Sequence, residues 1–391
     1  MDALLSGWES LGIINACGFS TRVGGSCPAP EVVEAMVAAQ GRYFEIDDLL
    51  ELAANVISRE TGSESGIVTC GAAAALTLGG AALLSGFDID VMERLPLLGG
   101  LVKDEFLYPV TGYYDYDHPL RVTGVRLREF SFDEPDLEAR LKGVVDERTA
   151  GVVYVWKHRN DSQKIERIAS TCRAIGVPFL VDAAMALPPH GNLKGIMALG
   201  PNLVALSGGK HLGGPQNSGL LFGDKSLIQS AWLQMVDMDV RPTTWSLGEL
   251  LDNNVIPRPP RHGLGRGFKV GKDAIMGCLT ALAAYESRDF AAEARRWHEI
   301  CLKIEGTLGG ANGFTVEYLQ ENGTGQYPTV RLTASAGARM TQLKHDLKAE
   351  RPKIVLAEHE DEEAVSYIYP LCLSDEEVGI VIERVSEAMR K

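Results

Sequence analysis

Between Leu203 and Gly223 the chain reads LVALSGGKHLGGPQNSGLLFG: an apolar strand delivers Ser207, Gly208, Gly209 and Lys210, more glycines follow, and a second apolar strand returns. Glycine has no side chain to hold a neighbour away, so a lysine set among glycines can approach a flat ring closely. Burial near the end of a sheet would depress the basicity of the ammonium and leave a usable amine. A lysine that forms an imine with a carbonyl group needs both properties. The same letters also describe a surface lysine in a hairpin loop.

Two further segments bear on that choice. Val177–Ala184, VPFLVDAA, ends an apolar strand on Asp182, 28 residues before the lysine. A carboxylate there is costly unless a cationic or protonated group pairs with it. A protonated ring nitrogen would serve, and the small Ala184 would let a ring lie flat above it. A helix-capping aspartate is the plainer reading of the same position. Val68–Ala75, VTCGAAAA, is a strand, a glycine and a helix of small residues. Gly71, Ala72 and Ala73 would then present free N–H groups to a phosphate at a helix N-terminus, and Ser207 could add its hydroxyl. Many buried helices start after glycine, so the weight lies in the order: phosphate turn, then Asp, then Ser-x-x-Lys.

These residues must be held by a parallel sheet. Strands are expected at Gly66–Cys70, Gly151–Trp156, Val177–Asp182, Asn202–Leu206 and Ser218–Phe222, with helices at Pro30–Gln40, Ile46–Thr61, Ala72–Ser85 and Ser162–Ile175, the last with Ser162 as its cap. Strands alternating with helices imply helices covering a parallel sheet, with ligands at the carboxyl ends of the strands. The Pro-, Gly- and Arg-rich stretch Pro257–Gly267 reads as a domain boundary. Beyond it lie helices at Lys272–Glu286, Ala291–Leu308 and Asp375–Arg390 in an α+β pattern. The expected organisation is a segment 1–45 packing with the small domain, a large domain 46–265, and a small domain 266–391.

Composition narrows the function. Among 391 residues, 38 Lys plus Arg stand against 52 Asp plus Glu, a formal charge of -14 without a basic run. Nucleic acid is therefore not expected as a partner, whereas a small anion needs only one local cradle of N–H groups. The seven cysteines are scattered and lack a CxxC pair, which suggests reduced thiols in a cytoplasm-like compartment and no metal site. The start of the chain lacks the apolar core of a signal peptide. The uncharged run Ser65–Phe87 is too rich in Gly, Ala, Ser and Thr to suggest a membrane helix.

The order of these segments resembles the fold-type I pyridoxal 5′-phosphate (PLP) enzymes, and within them the group of bacterial selenocysteine synthase and D-glucosaminate-6-phosphate ammonia-lyase. The likeness runs through INACGFSTRVGGS at Ile14–Ser26, ELAANVISRETGSESGIVTCGAAAAL at Glu51–Leu76, SGGKHLGGPQNSGLL at Ser207–Leu221 and GRGFKVGKDAIMG at Gly265–Gly277. It implies an aminotransferase-like α/β fold, a mainly parallel seven-stranded sheet plus a smaller α+β domain. It makes Lys210 the Schiff-base lysine, Asp182 the partner of the pyridinium, and Gly71, Ala72, Ala73 and Ser207 the phosphate holders. A residue stacked on the ring is implied too, with His118 first and Tyr113 second within GYYDYDH. The loop Leu264–Lys269 is implied near a neighbouring subunit's site, so Arg266 and Lys269 become candidates for anionic substrate groups. Arg22, among the glycines of STRVGGS, is another, since a guanidinium can fork onto a carboxylate or phosphate.

The resemblance implies a homodimer or larger homo-oligomer that acts on a small amino acid, anionic or phosphorylated in some members. The expected reaction is α,β-elimination from a β-hydroxy or otherwise β-substituted amino acid, giving a 2-oxo acid and ammonia. Gly209 stands where the selenium enzyme usually has an acidic residue, and the acidic balance disfavours a transfer-RNA partner, so selenium transfer is less expected. A racemase, a transaminase and a PLP-binding protein without turnover are the other readings.

Overall fold

The computed structural model describes residues 7–110, 116–133, 135–236, 240–309, 311–359 and 361–391, and the chain divides into two compact units, residues 28–287 and residues 1–27 with 288–391. Strands are numbered in chain order: β1 (Ile13–Ala16), β2 (Ser65–Thr69), β3 (Glu105–Pro109), β4 (Arg126–Phe130), β5 (Thr149–Val155), β6 (Phe179–Asp182), β7 (Leu203–Ser207), β8 (Gly219–Gly223), β9 (Phe314–Leu319), β10 (Thr329–Ala334), β11 (Lys353–Leu356) and β12 (Val365–Ile368).

The large unit is built on a seven-stranded sheet of order β2-β8-β7-β6-β5-β3-β4. Only β8 runs against its neighbours; the other pairings are parallel. The central strands are buried throughout and mostly apolar, as strands covered on both faces must be, with Asp182 the one charged residue of β5 and β6. The helix Ala72–Ser85 lies close on the sheet because it presents Gly79 and Gly80 to it. A methyl at Gly79 would stand 3.3 Å from Leu221 and 3.5 Å from Leu180, and one at Gly80 would stand 3.3 Å from Phe106. At the far edge Glu105 is buried and paired with Arg126, Arg128 and Arg148 at 3.4 to 3.5 Å. Burying that carboxylate is tolerable only because three guanidinium groups surround it.

The structure sets the unit bounds away from the expected ones. Pro257–Gly267 stays inside the large unit, because the next helix, Lys272–Tyr285, is packed there. A methyl at Gly277 would meet Met36 of the helix Pro30–Gln40 and Pro215 of the lysine loop, both at 2.7 Å. Pro30–Gln40 is thereby held in the large unit, and at this end of the chain only residues 1–27 join the small one.

The small unit carries an antiparallel sheet of order β12-β10-β9 and a parallel pair β1-β11. The helices Phe290–Leu308, Gly337–Ala349 and Asp375–Arg390 bury Ile304, Leu343, Val381 and Val385 in one core with Val330 and Leu332. The last helix starts on a reciprocal cap: Glu377 N–H donates to Ser374 Oγ at 3.2 Å, and Ser374 N–H donates to Glu377 Oε2 at 2.8 Å. The cap expected at Ser162 differs. Ser162 is already helical, and the preceding Asp161 folds its carboxylate back onto the amides of Lys157 and His158.

Candidate active site

Every parallel strand of the large sheet ends on the same edge, and the carboxyl ends of β2, β6 and β7 bring three features together there. The first is the turn from β2 into the helix Ala72–Ser85. Gly71 has φ +146°, a conformation that side chains disfavour. The first intrahelical bond is from Ala75 N–H to Gly71 O at 3.0 Å, so the amides of Ala72 and Ala73 have no acceptor in the helix. The turn is braced by Thr69 Oγ1, which donates to Gly71 O at 2.9 Å. It is also braced from β8: a methyl on Gly219 would lie 2.4 Å from Gly71 C and 2.6 Å from Ala72 N. Thr69, Gly219 and Ser207 are partners in one row of the sheet, which sets Ser207 level with the end of β2.

The second feature is Asp182 at the end of β6, 4 % exposed. Its Oδ1 accepts from Ala184 N–H at 3.0 Å, the one hydrogen bond of the carboxylate among the described residues. Burial raises the Asp182 carboxyl above its ordinary range, while the Ala184 amide, Lys210 and Lys157 oppose that rise. A buried carboxyl that its neighbours do not fully satisfy suits a protonated heterocyclic nitrogen. Ala184, two residues on, is part-exposed.

Lys210 is the third. It sits on the loop between β7 and β8, half-buried, with Nζ 3.0 Å from Met185 Sδ. Burial lowers its basicity, and the Asp182 charge only partly restores it. The glycines before the lysine serve a different purpose from the one the sequence suggests. A methyl on Gly208 would fall 2.2 Å from Ser218 Oγ, and one on Gly209 2.4 Å from Gln216 Cα. They let the returning loop close on the lysine turn, which Gly213 N–H to Lys210 O at 3.0 Å completes. The next residue, His211, points inward, 2 % exposed, with Nδ1 3.0 Å from Tyr285 Oη. His211 therefore fixes the turn from one side while Lys210 leaves it on the other.

The remaining candidates separate. His118 begins a short turn of helix and is exposed, with no side-chain hydrogen bond or ring contact among the described residues. Its helix is tied to Ala72–Ser85 by Thr77 Oγ1, which donates to Pro119 O at 2.8 Å. Tyr113 lies outside the described residues. Arg22 belongs to the small unit, where its Nη2 donates to Leu356 O at 3.1 Å and stands 3.7 Å from Glu358. Arg266 and Lys269 line a cavity of about 540 Å³ with Phe44, Trp232, Arg241 and Trp245, and no residue of the Gly71, Asp182 and Lys210 set lines it.

Sequence reasoning missed Tyr108, a buried residue of β3. Burial pushes its phenol far up, with Asp182 and Asp117 adding to the rise. It lies in a short strand that ends on proline and shows no alternation. Met185 was missed as well, although its place directly after VDAA was the available signal. Among the described residues no His, Cys, Asp or Glu cluster is arranged to hold a metal, and no helix is long and apolar enough to cross a membrane.

An open edge of a mainly parallel sheet, carrying a phosphate-type turn, a buried aspartate and a desolvated lysine, belongs to the aminotransferase-like fold of PLP fold-type I enzymes. Solved structures agree: that of a D-glucosaminate-6-phosphate ammonia-lyase superposes with a TM-score of 0.75 at 23% identity, covering 97% of this chain and 96% of that one. An alanine–glyoxylate aminotransferase from Nostoc sp. gives 0.59 at 15%, covering 97% and 96%. Among curated proteins the chain is similar to the D-glucosaminate-6-phosphate ammonia lyase of Salmonella typhimurium, 24% identical over 386 residues, 96% of this chain and 95% of that protein. It is also similar to a 5′-C-glycyluridine monooxygenase-decarboxylase from a Streptomyces species, 25% identical over 388 residues, 96% and 90%. No protein-family model matches the chain.

Proposed function

We propose that this chain is a PLP-dependent lyase that takes a proton from Cα of a β-hydroxy or otherwise β-substituted amino acid and expels the β-substituent, giving a 2-oxo acid and ammonia. The observation that carries the reading is the meeting of Asp182, Lys210 and the Gly71–Ala73 turn on one open strand edge, in a chain similar over nearly its whole length to an ammonia lyase. The cofactor, when bound, supplies an electron sink for the charge that develops at Cα.

The residues present fit that group. The amides of Ala72 and Ala73 and the hydroxyl of Ser207 hold its phosphate, and Gly71 lets the turn open toward it. Asp182 pairs with the ring nitrogen and keeps it protonated, which offsets the cost of burying the carboxylate. Ala184 leaves room for a flat ring. Lys210 would hold the cofactor through its amine, and with that amine free it would stand as a neutral base for the Cα proton. Its desolvation serves this second task, because an amine ionised at neutral pH cannot accept a proton. Loss of the β-hydroxyl as water leaves an enamine whose hydrolysis releases ammonia.

His118 is the proposed ring-stacking residue. Arg22 is proposed to receive a substrate anion after exchanging its present carboxylate partner. Arg266 and Lys269 are proposed to serve the site of a neighbouring copy in a homodimer or larger homo-oligomer, with a phosphate or carboxylate as ligand. A cytoplasm-like, reducing compartment is proposed from the free thiols. The test is a panel of β-hydroxy amino acids, with and without a distal phosphate, in deuterated water. Release of ammonia and oxo acid from at least one member supports the lyase. Deuterium entering Cα with inversion and no loss of amine would show a racemase instead, and conversion of the cofactor to its amine form would show a transaminase.

A further inference from the structure

Met185 is the one methionine among the described residues that is exposed, at 43 %, while Met36, Met197, Met235 and Met276 are partly covered and Met92, Met340 and Met389 are buried. Its backbone is fixed by the turn that follows β6, where Ala184 N–H donates to Asp182 Oδ1 and Ala186 N–H donates to Ala183 O at 2.9 Å. That turn sets the thioether 3.0 Å from Lys210 Nζ. A thioether is a weak acceptor, so it lies against the amine without holding its charged form.

We propose that Met185 is a modification site: a hydroperoxide oxidises its thioether to the sulfoxide, and the sulfoxide oxygen then captures the amine of Lys210. The sulfur gives up two electrons and takes one oxygen atom. The peroxide O–O bond breaks, and the oxidant leaves as water or an alcohol. The flexible methionine side chain backs away enough to seat the new oxygen. The result is a polar acceptor beside a desolvated lysine. Hydrogen bonds to charged groups are the stronger ones, so the bond favours the ammonium and withdraws the free amine. The proposal rests on the reading of Lys210 as the cofactor lysine for its consequence, though not for its chemistry. Methionine sulfoxide is reducible, which would make the block reversible.

The test uses the full chain, freed of any bound PLP and treated with hydrogen peroxide, with peptide masses followed for each methionine. Competitive acetylation with acetic anhydride then reports the free-amine fraction of Lys210. Met185 is expected to oxidise before every other described methionine. Acetylation of Lys210 at fixed neutral pH is expected to fall about ten-fold, the equivalent of one pKa unit, and to recover with a methionine sulfoxide reductase. Met185→Leu, of similar volume, should acetylate equally before and after peroxide although it keeps every thiol. Met185→Gln, with an amide oxygen in the same place, should lower acetylation without peroxide. Oxidation of Met185 no faster than of Met36 or Met197, or unchanged Lys210 acetylation once Met185 is oxidised, overturns the proposal. Acetylation needs neither cofactor nor turnover, so failure of the lyase reading would show separately, as normal capture of Lys210 in a protein that binds no PLP.

Discussion

Replacing Gly219 by alanine tests how the fold shapes the phosphate turn. The added methyl would sit 2.4 Å from Gly71 C, 2.6 Å from Ala72 N and 2.8 Å from Gly71 O, all backbone atoms of one turn. Carbon atoms rest about 3.5–4.0 Å from their neighbours, so the turn must retreat by about 1 Å. Overpacking of this kind costs about 1–3 kcal/mol, and the lost freedom of the unfolded chain returns about 0.4–1 kcal/mol. The net is a loss of about 1–2 kcal/mol, which lowers the melting temperature of a unit this size by about 2–8 °C. If PLP needs the turn in its present place, binding must restore that strain, and affinity falls about 5–30-fold. Gly143→Ala is the control. Gly143 lies in the helix Leu137–Val144 with nothing within 4 Å of the added methyl, so this variant should gain about 0.5–1 kcal/mol and bind PLP normally. Absorbance titration with PLP and thermal melts of both proteins give the answer. A Gly219→Ala protein that binds PLP and melts like the parent would refute the reasoning.

Four further outcomes follow from the structure. Asp182→Asn should lower elimination by about 100-fold or more if the carboxylate holds the ring proton, since a charge-assisted pair of about 3 kcal/mol is lost; a loss under three-fold in steady-state assays would remove Asp182 from that role. The folded value of Asp182 lies above its ordinary 3.8, so the folded state binds the proton more tightly and the cofactor-free protein gains stability as pH falls from the folded value toward 3.8. Denaturant melts across that window should show a gain in the parent that Asp182→Asn lacks. Lys210 lies below its ordinary 10.5, so in the cofactor-free protein its acetylation should reach half-maximum below pH 10.5, and a midpoint at or above that value would contradict its desolvation. Ser374→Ala removes a reciprocal cap and should cost about 1 kcal/mol of stability, read by denaturant unfolding of the full chain.

Much of the scaffold was legible because strong local signals agreed with the tertiary structure. Ala72–Ser85 and Asp375–Arg390 fall on their expected bounds: the first starts after a glycine with positive φ, the second on a serine cap. The strands around Asp182 and Lys210 are apolar runs broken by the polar residues that define the edge. β3 and β4 were not read as strands. β4, RLREF, is an edge strand whose charges answer a buried Glu105, and hydropathy cannot reveal a carboxylate paid for by three arginines. The domain boundary misled for a related reason: a Pro- and Gly-rich loop shows where the chain turns, but the packing of Gly277 against Met36 and Pro215 decides which unit the next helix joins. At the site, residue types and order pointed to Asp182, Lys210 and the Gly71 turn, which the sheet brings to one edge. Positions held by loops, such as His118, Arg22, Arg266 and Lys269, depend on contacts that no periodicity encodes.

The most direct measurement is to add PLP to the purified chain, reduce with borohydride and locate the pyridoxyl mass by peptide mapping. The label is expected on the peptide containing Lys210, with a visible absorbance that Lys210→Ala never develops. Label on another lysine, or no label at saturating PLP, would contradict it.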